Sequence, residues 1–216
     1  MVDFRFYLIS DRTRCAGRSL ASALSQACRA GVRAIQIREK DLDTPDLLML
    51  TRKVREELGE CRPLMMVNGN LEVAAACGAQ GVHLPERSMP VRLARMVRLV
   101  RAVRDRLPEG TLVARSTHSL KAAREAEAEG VDFITFGPVY DTPSKAAYGP
   151  AQGLRALSET VRAVSIPVFA LGGVTPDRAK ECLEAGAHGV AAISAVLSRP
   201  DIPVAVGAFE KALGGL

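Results

Sequence analysis

The stretch Val168-Phe-Ala-Leu-Gly-Gly-Val-Thr-Pro-Asp177 reads as a buried strand, a double-glycine turn and the start of a helix. Val168 to Leu171 is a short apolar run, the pattern of a parallel strand covered on both faces. Gly172 and Gly173 lack a Cβ, so a ligand can approach their backbone closely or the chain can take positive φ. Thr175 fits an N-cap, Pro176 the first helical position and Asp177 the first turn. A glycine turn feeding a helix N-terminus presents free N–H groups suited to a phosphate; a plain tight connection without ligand is the competing reading. The next strand, Gly189-Val-Ala-Ala-Ile-Ser194, ends in a hydroxyl at a comparable level. Phosphate sites built from the loops after strands seven and eight are a habit of (β/α)8 barrels.

Working outward, the chain alternates strands and helices with no linker and no low-complexity segment. Strands are expected at 4–10, 33–38, 64–67, 81–84, 111–115 and 132–136, ahead of the two already named. Helices are expected at 19–30, from about 45 with Thr44 as N-cap, and at 71–77, 90–107, 119–129, 154–164 and 202–213. A phrase recurs: Ala30-Gly-Val, Cys77-Gly-Ala, Glu129-Gly-Val and Ala185-Gly-Ala each close a helix before a strand. Glycine there is a helix C-cap. Eight βα units predict one α/β domain over 1–216, a (β/α)8 TIM barrel, with a doubly wound sheet as the alternative.

Composition narrows the partners. With 216 residues, 48% hydrophobic and 25% charged, the chain suits one globular domain with a large core. A net charge of +5 with scattered arginines and only 4% aromatic residues argues against nucleic acid as partner. The cluster between Arg92 and Arg106 repeats at near-helical spacing among Leu, Met and Val, as a solvated helix face does. Five cysteines (15, 28, 61, 77 and 182) without a CxxC pair suggest buried thiols in a reducing compartment. No signal peptide and no membrane-length apolar run is visible, so the expected location is cytoplasmic.

In a barrel, function collects at the C-terminal ends of the strands. After strand two, Gln36, Arg38 and Lys40 alternate and would share the inner face, where cations call for an anion; an outward ion-paired trio is the other reading. Strand three is followed by Asn68-Gly69, and strand five by Ser116-Thr-His118-Ser119. The long loop after strand six carries Tyr140, Thr142, Ser144 and Lys145. His83 ends strand four, and His188, opening strand eight, reads as structural. One phosphate site, a second basic zone (Arg38, Lys40, Lys145) and a histidine between them describe an enzyme of a phosphorylated small molecule. No Ser-His-Asp order and no Cys/His metal spacing is evident.

These residues resemble the thiamine phosphate synthase/TenI family over nearly the whole chain. The carrying motifs are Tyr7-Leu-Ile-Ser-Asp11, Gln36-Ile-Arg-Glu-Lys40, Val67-Asn-Gly69, Gly81-Val-His-Leu84, Arg115-Ser-Thr-His-Ser119, the Gly137–Lys145 loop, Gly172-Gly173 and Ile193-Ser194. The resemblance implies a (β/α)8 barrel in thiamine biosynthesis, with a homo-oligomer as the expected assembly. In the synthase branch a pyrimidine diphosphate joins a thiazole phosphate and pyrophosphate leaves. By resemblance Gln36, Arg38, Lys40, Asn68 and Lys145 would hold the diphosphate, and Thr142, Ser144, Gly173, Ile193 and Ser194 the thiazole phosphate. Ser116 and Gly172 complete the expected substrate-binding set.

The synthase branch uses Mg²⁺ to neutralise the leaving pyrophosphate. Its two aspartate positions read Gly69 and, by alignment, Ser88 here, so no metal ligand is expected. Glu86 is the nearest carboxylate, with Arg87 beside it. At these departures the chain resembles the TenI branch, which isomerises a thiazole carboxylate phosphate to its aromatic tautomer without metal or other cofactor. That proton shift needs one group near neutral pKa, and His118 fits. The expected activity is therefore a tautomerase with His118 catalytic and a synthase as the alternative. A non-catalytic phosphate-sensing barrel is the further alternative.

Overall fold

The computed structural model describes residues 2–86, 93–106, 108–142 and 150–215. Eight strands close a parallel barrel in sequence order: β1 (Phe6–Ile9), β2 (Ala34–Ile37), β3 (Leu64–Asn68), β4 (Gly81–Leu84), β5 (Leu112–Thr117), β6 (Phe133–Phe136), β7 (Val168–Leu171) and β8 (Gly189–Ala192). The ring is shut by β1 on β8, with Phe6 opposite Val190 and Leu8 opposite Ala192. Closure leaves no edge strand unpaired, and the strands are largely buried on both faces because helices cover the outside and side chains fill the inside.

The helices are α1 (Leu20–Arg29), α2 (Thr44–Leu58), α3 (Leu71–Ala76), α4 (Leu93–Arg106), α5 (Leu120–Ala128), α6 (Gly153–Ala163), α7 (Pro176–Glu184), α8 (Ser194–Leu197) and α9 (Ile202–Leu213). The recurring glycines behave as C-terminal stops: Gly31, Gly78, Gly130 and Gly186 all have positive φ. Two details differ from the sequence reading. Asp43, not Thr44, caps α2, its carboxylate accepting from Asp46 N, so Thr44 becomes the first helical residue. Ser194 does not end a strand but opens α8, a single turn too short to carry a period. On α4, Val100 and Val103 are buried while Arg101 and Arg104 are exposed, and Arg104 pairs with Asp132 at 3.0 Å. That is the solvated helix face expected.

Two apolar layers result. The larger lies between barrel and helices, where Phe6 and Phe209 meet at 4.6 Å. The smaller fills the barrel with Phe4, Tyr7, Met66, Phe133 and Phe169. Phe4 stacks on Phe169 at 5.0 Å and meets Phe133 edge-on at 5.7 Å, favourable aromatic geometries. Phe4 precedes β1 and Phe133 opens β6, so the aromatic plug sits toward the N-terminal end. His188 belongs to it, its Nε2 3.1 Å from the Phe4 carbonyl and its ring edge-on to Phe169, the structural part expected of it. Cys15, Cys28, Cys77 and Cys182 are buried and Cys61 half-buried; burial pushes the Cys28 thiol up to about 12. No helix among the described residues is long and apolar enough to cross a membrane.

Candidate active site

Above the plug the barrel interior turns polar. Gln36 is buried on β2 and its Nε2 donates to the Tyr7 hydroxyl at 3.0 Å. That hydroxyl lies 3.3 Å from the Met66 sulfur and 3.5 Å from His83 Nδ1. His83 Nε2 is 2.9 Å from Ser116 Oγ, with Thr135 Oγ1 at 3.5 Å from both. Burial, aided by the positive charge of Arg38, takes His83 down to about 3, so its ring stays neutral. Burial likewise raises Tyr7 beyond any ordinary pH, which fixes its hydroxyl as a neutral link. Sequence reasoning named Gln36 and Ser116 but not the chain Gln36–Tyr7–His83–Ser116–Thr135 that joins them. The signal was there in alternation: Tyr7 is two residues before Ile9, which pairs with Gln36.

At the rim, β2 delivers the basic zone. Arg38 is half-buried and Lys40 exposed, while Glu39 between them turns the other way and is buried. Ser10 Oγ donates to Glu39 Oε1 at 2.5 Å and accepts from Arg38 N at 2.8 Å. Arg12 clamps the same carboxylate through its backbone N (3.1 Å) and its guanidinium (3.2 Å), and also pairs with Asp41. The alternation expected of Gln36, Arg38 and Lys40 thus holds through Arg38, beyond the end of β2, because Glu39 is tied back to β1. Asn68 ends β3 opposite His83. Ser144 and Lys145 lie outside the described residues; Thr142 is half-buried at the start of that loop.

The double glycine is shaped by protein first. Gly172 and Gly173 have φ of +95° and +66°. A Cβ on Gly172 would stand 2.6 Å from Pro138 Cα, and one on Gly173 2.8 Å from Tyr140 Cβ and 2.9 Å from the Asp141 carbonyl. Tyr140 N donates to the Gly172 carbonyl at 3.0 Å, so the loop after β6 lies directly on the turn after β7. The Tyr140 hydroxyl donates to Glu181 at 2.8 Å, and Arg178 covers its ring at 4.5 Å while bonding the Gly173 carbonyl at 2.8 Å. The sequence left open whether these glycines serve ligand approach, positive φ or a plain tight connection; both have positive φ, and their nearest demand is this interlock. Replacing Gly173 by Ala is expected to cost about 1–3 kcal/mol, since strained φ and overlap coincide. Urea unfolding measures it, and an unchanged midpoint would contradict the interlock.

Helix starts on this side differ in their caps. Helices α1, α2, α3, α5 and α9 each have a side-chain cap, from Ser19, Asp43, Asn70, Ser119 and Asp201. Helices α6, α7 and α8 have none: Thr175 takes the N-cap backbone position of α7 without a side-chain bond, and Ile193 does so for α8. First-turn N–H groups without a side-chain cap, beside Gly172-Gly173 and Ser194, are donors an anion can use.

His118 follows β5 and is partly exposed, as is Glu86 of the loop after β4. Its Nδ1 bonds the Gly137 carbonyl, which can only accept, so Nδ1 carries the hydrogen. Its backbone N donates to Glu86 Oε1 at 3.1 Å, and Nε2 stands 3.7 Å from Glu86 Oε2. Arg115, one residue before Ser116, faces outward and forms a buried pair with Glu129. Its Nη2 donates to the Glu86 carbonyl at 3.0 Å, which anchors the loop.

The described residues do not form a Mg²⁺ site. Gly69 carries no donor side chain, Glu86 is engaged by His118, and Ser88 lies outside the described residues. No group of three or more His, Cys, Asp or Glu suited to a metal occurs among the described residues.

Comparison with known proteins agrees with this architecture. A family model described as thiamine monophosphate synthase matches residues 6–196. A putative thiamine-phosphate synthase of Geobacter sulfurreducens is 45% identical over 200 residues, covering 93% of this chain and 90% of its own. A thiamine-phosphate synthase of Clostridium novyi is 33% identical, covering 93% and 94%. Among solved structures, thiamine phosphate pyrophosphorylase from Pyrococcus furiosus superposes with a TM-score of 0.82 at 30% identity, over 97% of this chain and 95% of that one. A 3-hexulose-6-phosphate synthase, at 15% identity and a TM-score of 0.71, shares the barrel alone. The strand order, the polar rim and these matches together make the chain a member of the thiamine monophosphate synthase family, an enzyme of thiamine biosynthesis.

Proposed function

We propose that this protein is a thiamine-phosphate synthase, joining a pyrimidine diphosphate to a thiazole phosphate with release of pyrophosphate. The observation that carries the reading is the name borne by relatives 33–45% identical over nine-tenths of both chains. It reverses the order expected from the sequence, where the tautomerase stood first. The rim supports the reading with two separate anion-suited zones: Arg38 and Lys40 after β2, and the helix starts without side-chain caps after β7 and β8. A reaction that joins a diphosphate to a monophosphate uses both. Gln36, Arg38, Lys40 and Asn68 would hold the diphosphate, with Lys145 from the loop after β6. Gly172, Gly173, Ile193 and Ser194 would hold the thiazole phosphate, with Thr142 and Ser144. The Arg38 and Lys40 cations would carry charge of the leaving group.

A tautomerase is the second reading, favoured by one specific observation: Gly69 stands where a synthase carboxylate is expected while His118 keeps a placed imidazole. A two-substrate assay separates the readings. Thiamine phosphate and pyrophosphate formed from the pyrimidine diphosphate and the aromatic thiazole phosphate support the synthase. Absence of that product with and without Mg²⁺, together with EDTA-insensitive conversion of the non-aromatic thiazole carboxylate phosphate, supports the tautomerase. Neither product, with tight thiazole phosphate binding, would indicate a sensing barrel.

A further inference from the structure

We propose that Glu86 is a positioning residue that acts through His118, holding the ring by its backbone and presenting a carboxylate to the nitrogen that exchanges protons. The inference deepens the tautomerase reading and rests on it for the identity of the reaction.

The argument starts from the two faces of one imidazole. Nδ1 is committed to the Gly137 carbonyl, an acceptor, and must keep its hydrogen. Nε2 is the remaining basic atom, 3.7 Å from Glu86 Oε2, an ion-pair distance. The neutral ring satisfies the carbonyl alone; the protonated ring faces an acceptor on each side. A proton taken from a substrate carbon onto Nε2 would therefore be held by Glu86 until it is returned to the second carbon. In that cycle one C–H bond breaks as Nε2–H forms, the pair moves through the ring of the substrate, and Nε2–H breaks as the new C–H forms. No other reactant is required.

Glu86 is itself fixed from two directions. Its Oε1 accepts from His118 N at 3.1 Å, and its carbonyl accepts from Arg115, whose charge is paired with Glu129. The other charges around the ring are the positive end of α5, which starts at Leu120 behind the Ser119 cap, and Lys121, which is 87% exposed and paired with Glu125 at 3.9 Å. The Glu86 carboxylate is the anionic group that faces Nε2. His83 is neutral and turned into the barrel network.

The test uses the intact chain with Glu86→Gln and Glu86→Asp, and reads two signals. The first is the rate of His118 carbethoxylation by diethylpyrocarbonate at one fixed pH, located by peptide mass mapping; it needs no turnover. In Glu86→Gln that rate is expected to change by roughly several-fold, because the side chain facing Nε2 is altered, and to return toward the parent value in Glu86→Asp. The second is conversion of the non-aromatic thiazole carboxylate phosphate: kcat falls by about 10- to 100-fold in Glu86→Gln with KM nearly unchanged, as when a partner that orients a functional histidine is removed. An unchanged modification rate overturns the proposal whatever the activity. A changed rate in a protein without tautomerase activity supports the pair and removes the reading it was set in.

Discussion

Glu129→Gln is expected to destabilise the protein by about 3–5 kcal/mol, because it leaves the Arg115 guanidinium buried without its counter-charge. Arg115 and Glu129 side chains are 7% and 2% exposed, and Arg115 Nη1 is shared between both carboxylate oxygens. Arg115 Nε is already a buried donor without a partner among the described residues, so no slack remains to absorb the loss. The double substitution Arg115→Met with Glu129→Leu should recover most of the stability, since a buried pair is worth little more than apolar side chains of similar volume. Urea unfolding of the two variants checks this: equal losses in the single and the double variant would show that the pair is not what holds the site. The double variant should still lose activity, because the Glu86 carbonyl loses its anchor.

His118→Ala is expected to lower conversion of the non-aromatic thiazole carboxylate phosphate by about 10²–10⁴-fold, the usual worth of a placed acid/base group. Joining a pyrimidine to a thiazole takes no proton from carbon, so any synthase turnover should fall far less. Thiazole phosphate binding, measured by calorimetry, should be little changed, as the polar contacts of His118 go to Gly137 and Glu86 rather than to the helix starts after β7 and β8. An unchanged tautomerisation rate would remove His118 from that chemistry.

The eight-fold repeat was legible because each unit carries two independent marks: an apolar run of strand length and a glycine that stops the preceding helix. The finer points were lost where two residues of equal chemistry compete, as Asp43 and Thr44 do for one cap, or where an element is shorter than its period, as α8 is. The candidate residues on strand ends were legible from alternation. Their neighbours were not, because Arg115 meets Glu129 across 14 residues of sequence and Glu86 reaches His118 across 32. The choice between branches was harder still. The chain keeps Gln36, Arg38 and Lys40 on one side of the question and puts Gly69 on the other, and single residues cannot weigh those against each other.

The aromatic plug has a kinetic meaning. Phe4, Phe133 and Phe169 seal one end of the barrel, so reactants and products share a single doorway at the other. A molecule bound above the plug can exchange with solvent only past the loops that follow the strands.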